Sequence, residues 1–329
     1  MNHQLIERVQ NFTLDRKILS IDSDDRDKEK WPNAAEFELS CPQIYNSIET
    51  IRILNIHMPN YFYNISEYLQ NNKLIVSIDN GATTNEVKLD DGNYTPTYLQ
   101  NALEYKLKDV SADFKVKYNE LNRKMYFGNV STVFSLRFND TITYTNSCSK
   151  KSTYSQHSKW GLGHILGFEK SEYTSQADAS SNIFSHDSTN SWIANDNHII
   201  ISPKNADLNF YQNFYVEIDK LNQSDEIKPY LNNKNSNSNN GIINSFFAKV
   251  PFIKSDNNQI LVSKDFFLES VSYFQPPLEN LSKLRIKLRY HNGLPIDMMS
   301  LNMNFSMSLE INQIRNEMKD YRVRTPFTL

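Results

Sequence analysis

Apolar residues recur at every second position in several segments of this chain, which is the period of a half-buried β-strand. The carboxy-terminal third shows it most plainly. Leu284, Ile286, Leu288 and Tyr290 alternate with Arg285, Lys287 and Arg289, so the apolar set belongs on a core face and the basic set outside. Met303, Phe305, Met307, Leu309 and Ile311 alternate as strictly, after an Asn292-Gly293 step that reads as a hairpin turn into the last strand. The same pattern predicts strands at 36–39, 47–58, 73–78, 86–89, 134–138, 198–202, 213–218, 245–251, 266–274, 283–290 and 301–311. Residues 114–118 and 124–127 flank a polar turn as a further hairpin. Pro59, with no amide hydrogen for a ladder, stops the strand that ends at Met58.

One stretch switches to helical spacing. Leu99, Leu103 and Leu107 recur every fourth residue over 97–108, with Thr95 as cap and Pro96 at the first position, so the leucine stripe faces a core. Residues 1–16, with Leu5, Val9 and Phe12, read as a short helix or an arm. Between Trp160 and Phe168 three glycines suggest a phosphate cradle, but no Gly-Lys-Ser/Thr follows, so a tight apolar turn docking Trp160, Leu166 and Phe168 fits better. Residues 169–197 are an exposed loop by composition, and 222–244 form a flexible loop at a surface tip. The expected fold is mainly β: an antiparallel jelly-roll sandwich over 36–311, with a helix plus β-hairpin unit inserted at about 90–170. An amino-terminal arm (1–35) and a basic tail (312–329) extend from it.

Composition narrows the function. The 19 Phe and 18 Tyr suit sheets, while only 8 glycines argue against phosphate-binding loops. A net charge of −3 supplies no basic footprint for nucleic acid. Cys41 and Cys148 are too few for a disulfide framework, which fits a reducing compartment. No apolar run approaches the ~20 residues of a membrane span, and the polar first ten residues lack a signal-peptide core, so synthesis in the cytosol is expected.

Candidate chemistry fails on spacing. The seven histidines include no pair at metal-ligand spacing. Asp22, Asp24, Asp25 and Asp27 start like a calcium loop, but Asp27 stands where glycine is needed and Asn33 where the closing glutamate belongs. Asp90 and Asp91 could form the acid pair of a glycoside hydrolase, yet adjacent strand residues point to opposite faces and a turn before Gly92 accounts for both. No nucleophile–base pairing emerges. The chain reads as a non-enzyme with no cofactor and no metal.

The run from Ile18 to Ile65 carries a resemblance. Asp22-Ser23-Asp24-Asp25-Arg26, Trp31-Pro32-Asn33, Phe37-Glu38-Leu39, the strand Ile48-Glu49-Thr50-Ile51-Arg52-Ile53-Leu54 and the close Met58-Pro59-Asn60-Tyr61-Phe62-Tyr63-Asn64-Ile65 are similar, in order and spacing, to the amino-terminal signature of virion structural proteins of nucleocytoplasmic large DNA viruses. Asp90-Asp91-Gly92-Asn93-Tyr94-Thr95 and Leu166-Gly167-Phe168 extend it. This chain departs from the family at Asp24, where arginine is usual. The resemblance implies a giant-virus jelly-roll minor capsid protein, cementing or bridging major capsomers. The alternatives are a penton (vertex) subunit, or a carbohydrate- or receptor-binding β-sandwich of a surface fibre, with Trp160, Trp192 and Tyr173 as its stacking platform. Implied partners are the major capsid protein, other minor capsid proteins and further copies of the chain, with no nucleic acid and no direct membrane span. The implied place is the virion, assembled in host cytoplasm. Candidate interface residues are Asp22, Asp25, Arg26, Trp31 and Pro59, and in the tail Arg322 and Arg324.

Overall fold

The computed structural model describes residues 12–59, 61–140, 142, 144, 154, 157, 159–178, 192–194, 196–209, 212–227, 243–252, 261–263 and 271–316. In chain order the elements begin with β1 (Phe12–Asp22), β2 (Glu36–Met58), β3 (Lys73–Ile78), β4 (Thr83–Lys88), α1 (Pro96–Lys108), β5 (Phe114–Asn119), β6 (Lys124–Asn129) and β7 (Phe134–Arg137). A short α2 (Leu162–Ile165) precedes β8 (Glu172–Thr174), β9 (Gln176–Ala177), β10 (His198–Ile201) and β11 (Asn213–Ile218). Then come β12 (Ser224–Ile227), β13 (Ile243–Phe246), β14 (Ala248–Pro251), β15 (Leu261–Ser263), β16 (Ser272–Arg289) and β17 (Ser306–Asn316). The fold is mainly β and antiparallel, in the sandwich-like class expected of a jelly roll. Two compact units divide it. One lies within Met1–Asn60, Asn213–Ile227 and Ile243–Leu329, and the other within Tyr61–Gln212, wider than the insertion read at about 90–170.

The first unit is a seven-stranded sheet in the order β1-β17-β2-β16-β11-β14, with β15 also on β2, plus the two-stranded ribbon β12-β13. Its organising strand is β2. The sequence pattern breaks this strand at 40–46, yet it runs unbroken for 23 residues. The reason lies in the register: Lys283 pairs with Ser40 and Leu281 with Tyr45, so residues 41–44 face Ser282 alone. That bulge absorbs Pro42, which has no ladder hydrogen to give. Phe37, Ile48, Ile51, Ile53 and Ile56 of β2 pack with Leu284, Ile286, Leu288, Phe305, Leu309 and Ile311, all at most 2% exposed.

Three expectations change here. Residues 12–22, read as part of an arm, form β1 and pair with β17 along their whole length. The helical spacing of Leu5, Val9 and Phe12 does not carry into Phe12, which is already in β1, and residues 1–11 lie outside the described ones. Next, Asn292-Gly293 does turn the chain, with Gly293 at φ 89, but it returns it only to an Arg289–Pro295 bridge. β16 and β17 are not a hairpin, because β2 lies between them. Finally, the loop read at 222–244 contributes β12 and β13, which pair Ser224 with Phe246 through Ile227 with Ile243. Of the tail at 312–329, residues up to Asn316 belong to β17, while Arg322 and Arg324 lie outside the described residues.

The second unit sets two four-stranded sheets, β4-β3-β7-β8 and β5-β6-β10-β9, around one core with α1. Thr95 caps α1, its Oγ1 accepting from Tyr98 N at 3.3 Å, with Pro96 in the first turn. Leu99, Leu103 and Leu107 are each fully buried against Val76, Leu136, Phe127 and Phe168. The polar face of the helix also serves the sheet: Glu104 and Gln100 accept from the amides of Val116 and Tyr118 on β5, at 3.0 and 2.9 Å. The apolar turn at 160–168 is as read, with Trp160, Leu166 and Phe168 buried. Gly167 sits at φ +89, where a Cβ would come 2.2 Å from Lys204 O. Among the described residues no helix is long and apolar enough to cross a membrane.

Candidate functional site

Two of the segments that carry the viral resemblance, Asp22–Arg26 and Trp31–Asn33, meet where β1 ends. Asp22 caps a single 3-10 turn (Ser23–Asp25), its Oδ1 accepting from Asp24 N at 2.9 Å. Ser23 is fully buried and exchanges bonds with Phe305: its N–H donates to Phe305 O, and its Oγ accepts from Phe305 N, both at 2.8 Å. Arg26 stands at the centre. Nε donates to Trp31 O (2.8 Å), Nη1 to Ser23 O (2.7 Å) and Asn304 Oδ1 (2.8 Å), and Nη2 to Pro32 O (3.0 Å). A planar fork with five N–H groups can hold four acceptors in this way, and a lysine could not.

The carboxylates around it are equally committed. Asp27 Oδ1 accepts from Glu29 N and Lys30 N at 3.1 Å. Asp24 pairs with Lys28 at 2.7 Å and accepts from Asn304 Nδ2 at 2.9 Å, and the hydrogen bond from Lys28 holds its carboxyl below the usual range. Asn33, at the position a calcium loop would give to glutamate, instead donates to Ile296 O (2.9 Å) and accepts from Ala35 N (3.1 Å). Among the described residues no group of three or more His, Cys, Asp or Glu is arranged to hold a metal. The loop 22–33 is thus sewn to the segment 296–305.

Beside the knot lies a cleft of about 180 Å³ lined by Asp24, Arg26, Lys28, Pro32, Met298, Met299, Asn302, Met303 and Asn304. Met299 is 62% exposed at its lip. Trp31 is half-buried, with Lys30 Nζ and Arg285 Cζ each 5.3 Å from its ring. Asp25 stands exposed at the edge. Pro59 follows β2 two strands from Asp22, since Ser306 pairs with both Asp22 and His57.

A second cluster contradicts the sequence reading. Arg289 was placed on the outer face of its strand, yet it is fully buried. It forms ion pairs with Glu217 and Glu226, and its guanidinium lies 4.8 Å from the Tyr215 ring. His291 Nδ1 meets Glu226 Oε2 at 2.9 Å. Burial alone would raise the Glu226 carboxyl, but the hydrogen bond from His291 and the Arg289 charge outweigh it and leave the group below its ordinary range. Burial and the Glu226 charge push the Tyr215 hydroxyl up to about 12. The cluster fastens β12 to the large sheet. Its sequence signal was the strand-like Ser224-Asp225-Glu226-Ile227, hidden within a polar stretch.

A second buried carboxylate, Glu310, takes a two-pronged contact from Arg52 (3.1 and 3.2 Å) and one from Arg16 (2.5 Å), tying β17 to its neighbour on either side.

Two further readings lose their geometry. Trp160 is 5% exposed with Nε1 donating to Leu69 O at 2.7 Å. Trp192 covers Gly128 and Tyr126, and Tyr173 packs on Phe138 and Phe168, so these three rings form no exposed stacking platform. Asp91 accepts from Glu67 N and Asn72 Nδ2 at 2.8 and 3.0 Å, while the Asp90 side chain is 87% exposed beside Lys106.

A family model matches residues 6–273, a span that takes in the Arg26 knot from Asp22 to Pro32. The chain belongs to DUF5901, a family of unknown function. The DUF5901 match ends just inside β16, before Arg289 and Asn304. No curated protein matches the sequence. Solved structures similar to this chain include the crystal structure of the selenomethionine-labelled mavirus penton protein, at 10% identity and TM-score 0.44, covering 92% of this chain and 100% of that one. The cryo-EM structure of the Sputnik virophage is similar at 12% identity and TM-score 0.36, covering 94% and 99%. At these identities and scores the likeness decides neither fold nor function.

Proposed function

We propose that this DUF5901 chain is a structural subunit of a large DNA virus capsid, a minor capsid protein that cements or bridges major capsomers. The observation that carries the reading is the use made of the motif. Ser23, Asp24, Arg26 and Asn33 bond across to the strand lead-in at 296–305, while Asp22 and Asp27 hold backbone amides within the loop itself. A motif whose polar groups are spent on architecture suits a shell subunit, and it is this motif that resembles virion structural proteins. The exposed apolar side chains fit the same role. Ile44, Tyr98, Tyr105, Leu121, Ile227 and Tyr273 are each more than 60% exposed and sit on several elements, which favours many modest contacts with neighbours over one strong site. On this reading the chain is non-catalytic and resides in the virion.

The test is binding of the purified full chain to the major capsid protein encoded in the same genome, followed by light scattering. A defined complex supports the cementing role. A pentamer of the chain alone would replace it with the vertex role, and no association with any capsid protein would remove both.

A further inference from the structure

The seven-stranded sheet ends on β1, and the free edge of that strand is organised. β1 pairs with β17 from Phe12–Asn316 to Asp22–Ser306 without a bulge, and among the described residues no strand lies on its other side. Ser23 continues the register by donating to Phe305 O. Bonded and non-bonded pairs alternate along an antiparallel ladder. Asp15, Lys17, Leu19 and Ile21 therefore turn their backbone groups to β17, and Leu14, Arg16, Ile18, Ser20 and Asp22 turn theirs to the open edge. The second set also carries the exposed side chains, with Leu14 at 56%, Ile18 at 58% and the Arg16 side chain at 58%. Proteins usually blunt a long edge with proline, a bulge or a cover. β5 has such a cover, its outward amides bonded by Gln100 and Glu104. β1 has neither proline nor bulge over its 11 residues, and the charges that could blunt it are engaged within the chain, Arg16 with Glu310 and Asp15 with Lys17 and Arg315.

We propose that β1 pairs antiparallel with β1 of a second copy of this chain, across a two-fold axis at Ile18. Charge complementarity favours a second copy as partner, and charge and length together select the register. An axis at Arg16 or Lys17 would set like cations directly opposite one another, which is destabilising. At Ile18 the two isoleucines face each other, Arg16 faces Ser20 and lies diagonal to Asp22, and Leu14 also falls within the paired stretch 14–22. An axis nearer the carboxy-terminal end shortens the pairing and leaves Leu14 outside it. This self-association stands independently of the capsid reading.

The test uses the full chain with Cys41→Ser and Cys148→Ser, examined by light scattering and by mild oxidation. A dimer is expected. Ile18→Cys should convert it to a disulfide-linked dimer, since residues opposite in a bonded pair lie about 5.5 Å apart at Cα, within disulfide range. Leu14→Cys should not cross-link, its two copies lying roughly 27 Å apart at ~3.4 Å per residue. Ile18→Pro removes an amide that β17 does not use, and should raise the dimer dissociation constant at least tenfold with an unchanged circular dichroism spectrum. Leu19→Pro, which removes a ladder amide, should unfold the strand. A chain monomeric at all concentrations overturns the proposal. So does a dimer in which Ile18→Cys cross-links no better than Leu14→Cys.

Discussion

Replacing Arg26 by alanine withdraws four hydrogen bonds at 2.7–3.0 Å. A bond from a charged donor contributes about 1.5–3 kcal/mol on its own, but these four share one group, and the Pro32 carbonyl is exposed enough to be taken over by water. Counting the part-buried Ser23 and Trp31 carbonyls and Asn304, the knot should lose about 3 kcal/mol. At 1.4 kcal/mol per tenfold, local opening becomes about a hundred times more frequent. The assay is hydrogen exchange of peptides covering 23–33 and 298–306, where the amides of Ser23 and Phe305 report directly because they donate across the knot, to Phe305 O and to Ser23 Oγ respectively. Arg26→Ala should accelerate their exchange by about two orders of magnitude. Arg26→Lys should fall between, because an ammonium keeps the charge and loses the fork. Lys28→Ala removes only an exposed pair with Asp24 and should leave exchange unchanged. If Arg26→Ala and Lys28→Ala behave alike, the guanidinium does not hold the loop and the architectural reading of the motif fails.

Arg289→Ala leaves Glu217 and Glu226 facing each other without their buried cation, and should cost about 3–5 kcal/mol in urea denaturation; a cost under 1 kcal/mol would mean water reaches the site. The fold depresses the Glu226 carboxyl below its ordinary 4.5, so its stabilisation is full above that pH and is lost as pH falls through the lowered value. Glu226→Gln should therefore flatten the acid limb of the stability profile, and an unaltered limb would place the responsible group elsewhere. Gly167→Ala combines positive φ with a collision against Lys204 O and should cost more than about 2 kcal/mol. Gly293→Ala has the same φ with nothing within 4 Å and should cost only about 1 kcal/mol; equal thermal shifts for the two would contradict this.

Where local rules and packing agreed, the fold was legible. Thr95, Pro96 and the leucine stripe define α1, and short apolar runs rich in β-branched and aromatic residues locate β3 and β11 with their observed bounds. Local pattern failed where a partner far along the chain decides. Alternation puts Arg289 outside because it sees one strand, and the ribbon β12-β13 that covers that face comes from a segment whose composition reads as loop. A Gly turn proposes a hairpin from four residues, but whether β16 and β17 pair depends on β2 lying between them. The pattern breaks at 40–46, and only the bulge opposite Ser282, which accommodates Pro42, lets β2 continue. At the site, Asp22, Arg26 and Trp31 were legible as a motif. Their common purpose was not, because Asn304 and Phe305, which complete the knot, lie more than 270 residues away.

The capsid reading is tested most directly by following the chain in cells producing virus from the genome that encodes it, with particles purified on a density gradient after nuclease treatment. The full chain should band with intact capsids in a fixed ratio to the major capsid protein and stay with them through a salt wash. A chain that remains at the top of the gradient, or leaves the particles entirely in salt, would contradict a structural place in the shell.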